Sequence, residues 1–247
     1  MKRERAFVES RRNRIVEIME EKPEVRVDEL SQLLGVSLIT IRRDLQYLEE
    51  QKLLVRNYGG AVSTMAPKNM KDEVQLYRKI IARYAADFVA ENDTIFINTS
   101  SNALQILEYV ECNNVTVITN NGKAIGREYC PGVNVVLTGG ELRHPKDAMV
   151  GDFTLRNLQH VYAKKAFVGC SGISELGMTT EIFNEVSINE MMIAHANQTV
   201  YVLADHTKIG SNSSFTSCPI EKIQYLITDE KAPDDALTAI REKGVRV

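Results

Sequence analysis

The residues near the N-terminus that are best suited to chemistry lie on one segment, residues 38–51. Leu38, Ile41, Leu45 and Leu48 recur there at intervals of three or four, which predicts a helix with these side chains turned inward. One polar residue type on this helix, arginine, can bind a guanine edge with two hydrogen bonds or hold a phosphate, so the helix is suited to read a DNA groove. The polar residues on its outer face and flanks are Thr40, Arg42, Arg43, Gln46 and Tyr47.

Polar residues also follow the predicted strands of the C-terminal part. Apolar runs predict six buried strands there, and most of these runs end in Asn, Thr, Gly or Asp. Helical patterns between several of them imply right-handed crossovers and a mainly parallel sheet. Ligands bind at the carboxyl ends of the strands in such sheets, which makes these polar residues candidates for a binding site. The strands are 94–98, 115–120, 134–140, 165–172, 199–205 and 223–229, and helical patterns cover 103–110 and 187–197.

Two further helices precede the arginine-bearing one. The first is predicted from Ser10 to about Glu21, and Pro23 follows it. The second is predicted to end at Gly35, a residue that tolerates a left-handed turn, and Ser37 is a good N-cap for the third helix. The second helix is expected to turn one face inward, made of Val27, Leu30, Leu33 and Leu34.

A β-rich run, residues 53–62, follows the third helix and is broken by Gly59 and Gly60, which predicts a hairpin or wing. Three helices and a wing are the order of a winged helix-turn-helix, whose second helix of the pair lies in the major groove. Arg56, Asn57 and Tyr58 in the wing are placed to reach the DNA backbone or the adjacent minor groove.

A change of composition after the wing predicts the domain organisation. Residues 63–72 have the composition of a linker, so we expect a DNA-binding domain in residues 1–62 and an α/β domain in residues 73–247. The second domain is expected to begin with a helix from about Glu73 to Glu91. Its apolar face would carry Ile80, Ile81, Tyr84 and Phe88.

Composition excludes several classes. The chain has 247 residues, is 44% hydrophobic and 26% charged, and has neither an apolar run of membrane-spanning length nor a signal peptide, so a cytoplasmic protein is expected. The formal net charge is −3, yet the first fourteen residues hold six basic and two acidic side chains, which leaves local DNA binding open. The four cysteines and four histidines are scattered, so we predict no metal, no disulfide framework and no cofactor.

The segment SQLLGVSLITIRRDLQYLEEQKLLVRNYGGAV, residues 31–62, resembles the N-terminal motif of the DeoR family of bacterial sugar-operon regulators. The matching pattern is VS, then TIRRDL two residues later, then LE, and a basic residue close to GGA. This resemblance covers roughly the first 60 residues and implies a recognition helix. It assigns Ser37, Thr40, Arg42, Arg43 and Asp44 to that helix.

Residues 75–229 resemble the sensor domain of the same family, which shares its fold with ribose-phosphate isomerases and glucosamine-phosphate deaminases. The matching pieces are TIFIN, VTVITNN, VVLTGGELR, AMVGDFT, AFVGCSGI, GMTT before Glu185, and LADHTKIG before LITD. The resemblance implies a phosphorylated sugar as effector. Lys79 and Lys208 match basic positions of the family sensor.

A sugar phosphate needs amides, hydroxyls and cations for the phosphate, and carboxylates or amides for the sugar hydroxyls. We expect the phosphate between a strand end and a helix start. The family loop there reads Asp-x-Gly-Thr-Thr, whereas the loop of this chain contains no glycine and has Asn in place of the acid. A loop without glycine is less free to wrap tightly around a phosphate, so the effector could be a different sugar phosphate or even an unphosphorylated sugar. The phosphate loop is Asn98, Thr99, Ser100, Ser101 and Asn102; the remaining candidates are Asn120, Gly139, Gly140, Glu141, Arg143, Ser171, Gly172, Glu185 and Asp205.

Two other functions remain open at this point. The first is a sugar-phosphate isomerase or deaminase that uses Glu185 or Asp205 as its base and carries a helical appendage. The second is a helical interaction module that never touches DNA, in which Arg42 and Arg43 form salt links to Asp44 or Glu49. The preferred hypothesis is a repressor that binds a double-stranded operator as a homo-oligomer, a dimer or a tetramer, and is controlled by a phosphorylated sugar.

Overall fold

The computed structural model describes residues 2–22, 24–57, 59–63, 68–127 and 129–247. The chain forms two compact units, Met1–Gln75 and Leu76–Val247. In the predicted linker, residues 64–67 lie outside the described residues and residues 68–72 are helical. The fourth helix, α4, spans Lys68–Ala86, so the predicted start at Glu73 and end at Glu91 are both wrong by five residues. None of the helices in the described ranges is long and apolar enough to cross a membrane.

The first unit contains three helices and a small antiparallel sheet, as predicted for a winged helix-turn-helix. The strand order in the sheet is β1-β3-β2. The first helix begins eight residues earlier than Ser10, the predicted start. The elements are α1 Lys2–Glu21, β1 Glu24–Arg26, α2 Val27–Leu34, α3 Leu38–Glu50, β2 Leu54–Asn57 and β3 Gly60–Ser63.

The turn between α2 and α3 follows from two residues. Gly35 adopts a left-handed conformation, with φ of 65°, and its backbone N–H bonds to the Ser31 carbonyl, which ends α2. Ser37 then caps α3, because its side chain accepts a hydrogen bond from the Thr40 backbone N–H at 3.2 Å. Both roles were predicted from the sequence.

The core of the first unit joins all three helices to the sheet. The predicted inward face of α3 is right for Ile41, Leu45 and Leu48 but wrong for Leu38, which is 44% exposed. On α2, Leu33 is 67% exposed instead of buried. The buried hydrophobic residues are Ile15, Met19, Val25, Val27, Leu30, Ile41, Leu45, Leu48, Leu54 and Ala61.

The second unit is built on a six-stranded parallel sheet in the order β14-β12-β9-β4-β5-β6. All six strands predicted from the sequence are in this sheet. They are β4 Thr94–Ile97, β5 Val115–Thr119, β6 Val133–Leu137, β9 Ala163–Gly169, β12 Ala196–Leu203 and β14 Tyr225–Ile227.

Short antiparallel elements, which the sequence pattern did not predict, surround this sheet. One is the hairpin β7 Glu141–Arg143 and β8 Ala148–Val150. The other is a three-stranded sheet in the order β10-β11-β13. Its strands are β10 Gly172–Ser174, β11 Gly177–Thr180 and β13 Phe215–Pro219.

Helices cover both faces of the parallel sheet, as the strand alternation shows. Phe96 belongs to one core, while its neighbours Ile95 and Ile97 belong to the other. The first core includes side chains of α6 Asp152–Leu158, α7 Phe183–Ala194 and α8 Asp234–Glu242. The second includes side chains of α4 and of α5 Ser101–Leu104, which a 3₁₀ helix, Gln105–Glu108, continues.

The predicted apolar face of α4 is only half right. Ile81 is buried, Phe88 packs against the core beyond the end of the helix, and Ile80 and Tyr84 are 52% and 56% exposed. The face of α4 that is buried against the sheet is therefore narrower than the sequence pattern predicted.

Candidate functional site

The outer face of α3 presents three exposed polar side chains, Arg42, Arg43 and Gln46. Gln46 donates a hydrogen bond to Glu50 at 3.3 Å. Neither Arg42 nor Arg43 has an ion-pair or hydrogen-bond partner among the described residues. Their guanidinium groups therefore keep all their donors for an external acceptor.

Asp44, one of the acids that could have formed a salt link with these arginines, is bound by other residues. Asp44 is buried, at 2% exposure, and accepts from Arg11 Nε at 2.6 Å and from Arg12 Nε at 2.9 Å. Arg12 also lies over the ring of Tyr47, 3.7 Å from its centroid. Asp44 thus fastens α1 to α3 and, although it belongs to the recognition motif, faces inward.

Of the other residues predicted to bind DNA, Thr40 and Ser37 form the helix cap, with their hydroxyl oxygens 2.9 Å apart. Tyr47 is 41% exposed beneath Arg12. Arg56 in the wing is exposed but is paired with Glu49, from Nε to Oε2, at 2.7 Å.

Hydrogen bonds from the Arg56 backbone and side chain lower the pKa of Glu49. Asn57 ends β2 on the wing, whereas Tyr58 lies outside the described residues.

A polar cavity of about 220 Å³ lies at the carboxyl ends of the central parallel strands. The structure brings nine predicted residues together in its wall: Asn98, Thr99, Ser100, Ser101, Asn102, Ser171, Glu185, Asp205 and Lys208. Lining residues that the sequence reasoning missed include Arg78, Lys146, Gly169, Thr180 and Glu181. The cavity wall thus contains positively charged side chains, negatively charged side chains and several hydroxyl groups.

The remaining predicted residues are not among those that line the cavity. Lys79 is exposed on α4. Its neighbour Arg78 lines the cavity instead of Lys79. Asn120 is buried and donates to the Met149 carbonyl at 3.1 Å. Glu141 and Arg143 are exposed on β7 and pair with each other at 3.2 Å.

The three predicted glycines also lie outside the cavity wall. Gly139 and Gly140 form a turn between β6 and β7, both with positive φ, and the Gly139 carbonyl accepts from Thr154 at 2.6 Å. Gly172 begins β10, where an added Cβ would meet the Ser211 backbone. For these glycines the structure shows a backbone role.

Asn98 organises the floor of the cavity by joining β4 to β9 and α7. Its amide nitrogen donates to the Gly169 carbonyl at 2.9 Å and to Asn189 Oδ1 at 3.0 Å. Its oxygen accepts from the backbone N–H of Gly169 at 3.0 Å and of Ser100 at 3.2 Å. With all four bonds made inside the protein, Asn98 shapes the phosphate loop and has no donor left for a ligand.

The loop after Asn98 closes against β9 because position 169 has no side chain. A Cβ there would overlap the Ser100 hydroxyl. Ser100 caps the short helix α5 by accepting from the Ala103 N–H at 3.4 Å. The buried Oδ1 of Asn102 receives no hydrogen bond from the described residues.

Glu185 enters the cavity from the first turn of α7 and is held by hydroxyl donors. Thr99 donates to one carboxylate oxygen at 3.0 Å and Thr180 to the other at 3.1 Å. Lys146, from the loop between β7 and β8, approaches both oxygens at 3.4 Å. This carboxylate is buried, at 3% exposure, with its charge balanced.

On the opposite wall, Asp205 follows β12 and accepts from Arg78 Nε at 2.8 Å. Burial raises the pKa of Asp205, but hydrogen bonds from Thr207 and Arg78 outweigh it, so the net pKa is lowered. Lys208 lies one turn further on. Its ammonium group has no ion-pair partner within the described ranges and is the cavity cation best placed to hold an anion.

The thiol of Cys170 also lines the cavity, and burial raises its pKa to about 12. A thiol with so high a pKa is protonated at neutral pH and is a poor nucleophile. The part of the chain that the structure describes contains no cluster of three or more His, Cys, Asp or Glu side chains able to hold a metal ion.

Sequence signals could have found some of the missed residues. Arg78 precedes the predicted Lys79 and projects about 100° away from it around the helix. Choosing between the two residues would have required knowing which face of α4 is buried. Thr180 is the last residue of the predicted GMTT match, and Glu181 directly follows it. Lys146 lies in an irregular loop, where no periodic pattern could place it.

Comparison with known families gives two matches. The model described as the DeoR-like helix-turn-helix domain matches residues 11–66, and the DeoR C terminal sensor domain matches residues 75–230.

Curated relatives match along nearly the whole chain. An uncharacterised HTH-type transcriptional regulator, YulB of Bacillus subtilis, is 31% identical over 98% of this chain and 96% of its own. The putative aga operon transcriptional repressor of Escherichia coli O157:H7 is 27% identical, over 96% and 92%. The lactose phosphotransferase system repressor of Staphylococcus epidermidis is 29% identical, over 89% and 91%.

Among solved structures, ribose 5-phosphate isomerase from Plasmodium falciparum is similar at 16% identity. The match has a TM-score of 0.38 and covers 56% of this chain and 52% of that one.

Proposed function

Since the chain belongs to the DeoR family of transcription regulators, we propose that it represses a sugar-utilisation operon and leaves its operator when a phosphorylated sugar fills the cavity. The relatives are DNA-binding regulators and not enzymes, so the isomerase or deaminase alternative is set aside. Repression is the activity named for two of the relatives described above.

The observation that carries the DNA-binding assignment is the state of Arg42 and Arg43. Both are exposed on α3, and neither has a partner among the described residues. The acids that could have neutralised them, Asp44 and Glu49, are bound to Arg11, Arg12 and Arg56 instead. A helix that keeps two arginines free on its outer face is suited to guanine and phosphate.

The cavity supports an effector with a phosphate and several hydroxyl groups. Lys208 and the hydroxyl of Ser101 offer a cation and a donor for the phosphate. Acceptors for sugar hydroxyls are offered by Asp205, by Glu181 and by Oδ1 of Asn102, which receives no hydrogen bond from the residues that the structure describes. The name of the staphylococcal relative, a lactose phosphotransferase system repressor, agrees with a sugar of this kind.

A symmetric oligomer, a dimer or a tetramer acting in the cytoplasm, completes the proposal. One winged helix contacts few base pairs, and paired recognition helices can read two half-sites about one helical turn apart. The ligand would lower operator affinity by favouring an arrangement of subunits in which the two helices no longer match that spacing.

The DNA-binding proposal is tested with a duplex enriched from a random-sequence pool by the full-length chain. Arg43→Ala should weaken binding of this duplex by at least tenfold and reduce the slope of log affinity against log salt. Arg156→Ala, which removes an exposed arginine of α6, is the control with the same net charge. Equal binding by Arg43→Ala and wild type would contradict the assignment of α3.

The effector proposal is tested by thermal shift with aldose and ketose phosphates, the same sugars without phosphate, and inorganic phosphate. A ligand that binds only the folded state at 100 times its Kd adds about 2.7 kcal/mol of stability. The expected hit is a sugar phosphate whose shift is lost in Lys208→Ala and kept in Lys243→Ala, an exposed lysine beyond α8. A hit that is unaffected by Lys208→Ala would contradict this placement of the phosphate.

A further inference from the structure

Ile39 is a large aliphatic side chain on the recognition helix that the sequence reasoning did not assign. It is 63% exposed in the first turn of α3, two residues after the capping Ser37. Single exposed aliphatic residues are common on protein surfaces, so exposure alone does not indicate a binding role. The neighbours of Ile39 and its direction from the helix axis are what distinguish it.

Helix geometry places Ile39 opposite the buried face of α3. At about 100° per residue, Ile39, Arg43 and Gln46 all project within about 40° of the direction opposite to buried Ile41. These three side chains therefore lie on the outermost line of the helix, which ends at the exposed Glu50 in the last turn. The N-terminal part of such a line is the part that contacts base edges in a groove. Arg42 lies to the side of this line, about 100° from Ile41.

The chemistry of that line differs from one end to the other. Arg43 and Gln46 can hydrogen-bond base edges, whereas Ile39 offers only methyl and methylene groups. In the major groove the apolar feature of a base pair is the 5-methyl group of thymine, and apolar side chains read it by contact. Arg43 on this line and Arg42 beside it have no ion-pair partner among the described residues, and their positive charge is the kind that a phosphate-lined groove attracts.

From this arrangement we infer that Ile39 is a specificity residue that packs on the 5-methyl group of a thymine in the operator. It is about 6 Å along the helix axis from Arg43, so this thymine lies one to two base pairs from the base that Arg43 contacts. The inference rests on the proposed DNA-binding function and adds to it one base that is read without a hydrogen bond.

The test uses the duplex enriched by the full-length chain, in which thymines are replaced one at a time by uracil. Uracil keeps every hydrogen-bonding group of thymine and lacks only the 5-methyl group. For wild type, one position in each half-site should weaken binding by about three- to fivefold, the effect of one buried methyl. Ile39→Ala should bind thymine and uracil at that position equally. Leu176→Ala, which shortens a comparably exposed leucine in the second unit, should keep the wild-type preference.

Two results would overturn the inference alone: enriched DNA with no position where uracil weakens wild-type binding, or an Ile39→Ala variant that keeps the full preference for thymine. Ile39→Ala replaces a β-branched residue by a better helix former, so folding is retained and the comparison stays interpretable. Failure to enrich any duplex would overturn the DNA-binding function itself and this inference with it. The two failures are therefore distinguishable.

Discussion

Replacing Asp44 by Asn should loosen the recognition helix from α1 without changing the size of the side chain. Asp44 is 2% exposed and accepts from Arg11 and Arg12 through different carboxylate oxygens, at 2.6 and 2.9 Å. The amide of Asn has one oxygen, so one of these guanidinium groups would face an N–H donor. The expected effect is therefore local to the interface between the two helices.

The magnitude follows from how buried the partners are. Breaking a fully buried ion pair costs about 3–5 kcal/mol, because an uncompensated charge remains. Here the side chains of Arg11 and Arg12 are 13% and 24% exposed and can recover part of their hydration. We therefore expect a loss of about 1–3 kcal/mol in the local stability of α3.

Hydrogen exchange of the full-length chain, followed by mass spectrometry of its peptides, measures this loss where it occurs. Since 1.4 kcal/mol is about a factor of ten in an equilibrium constant, peptides from α3 should exchange roughly 5 to 150 times faster in Asp44→Asn. Peptides from the parallel sheet of the second unit should exchange at the wild-type rate and serve as an internal reference.

The matched control is Asp28→Asn, which removes an acid on α2 that pairs with Arg26 at 3.0 Å. Both partners of that pair are exposed, and no measurable change in exchange is expected. If Asp44→Asn left α3 as protected as Asp28→Asn does, the ion pairs to α1 would not hold the recognition helix, and the reasoning from burial would be refuted.

Three further substitutions test the core of the first unit and the cavity of the second. Leu45→Ala should destabilise by about 2–5 kcal/mol in urea unfolding, because Leu45 is 1% exposed in the small core; a loss under 1 kcal/mol would contradict that packing. Gly169→Ala should abolish the sugar-phosphate thermal shift, because the added methyl displaces Ser100; an unchanged shift would show that this loop does not bind the ligand. Arg78→Ala should lower Tm at neutral pH, because Arg78 helps to hold Asp205 ionised. The deficit should shrink as the pH falls below about 4, where protonation of Asp205 removes its contribution; a deficit independent of pH would argue against the pair.

The sequence predicted the position of α3 well because the signals that define this helix are local. Ser37 and Gly35 act on the residues next to them, and the spacing of Ile41, Leu45 and Leu48 reports one buried face directly. The same periodicity could not tell how far that face extends. Leu38 continues the stripe in sequence, yet it lies at the end of the helix, where it remains 44% exposed.

The cavity could be predicted only in part, for a related physical reason. Carboxyl ends of parallel strands meet at one edge, so the residues after β4 and β12 were brought together as expected. Glu141 and Arg143 do not line the cavity, because the chain leaves the sheet after β6 and forms a separate hairpin. Lys146 reaches the cavity from that hairpin's loop, and its position depends on packing between distant segments.

Two titratable groups of the cavity, Asp205 and Cys170, suit binding better than proton transfer or nucleophilic attack. A general base works best with a pKa near the pH at which the enzyme operates. The pKa of Asp205 is moved the other way, below its ordinary value, because hydrogen bonds from Thr207 and Arg78 outweigh the effect of burial. The pKa of Cys170 is raised by burial to about 12, so its thiol is not an available nucleophile. Asp205 therefore stays ionised and the Cys170 thiol stays protonated across the physiological pH range, so the charge that these two groups present to a ligand does not change with pH.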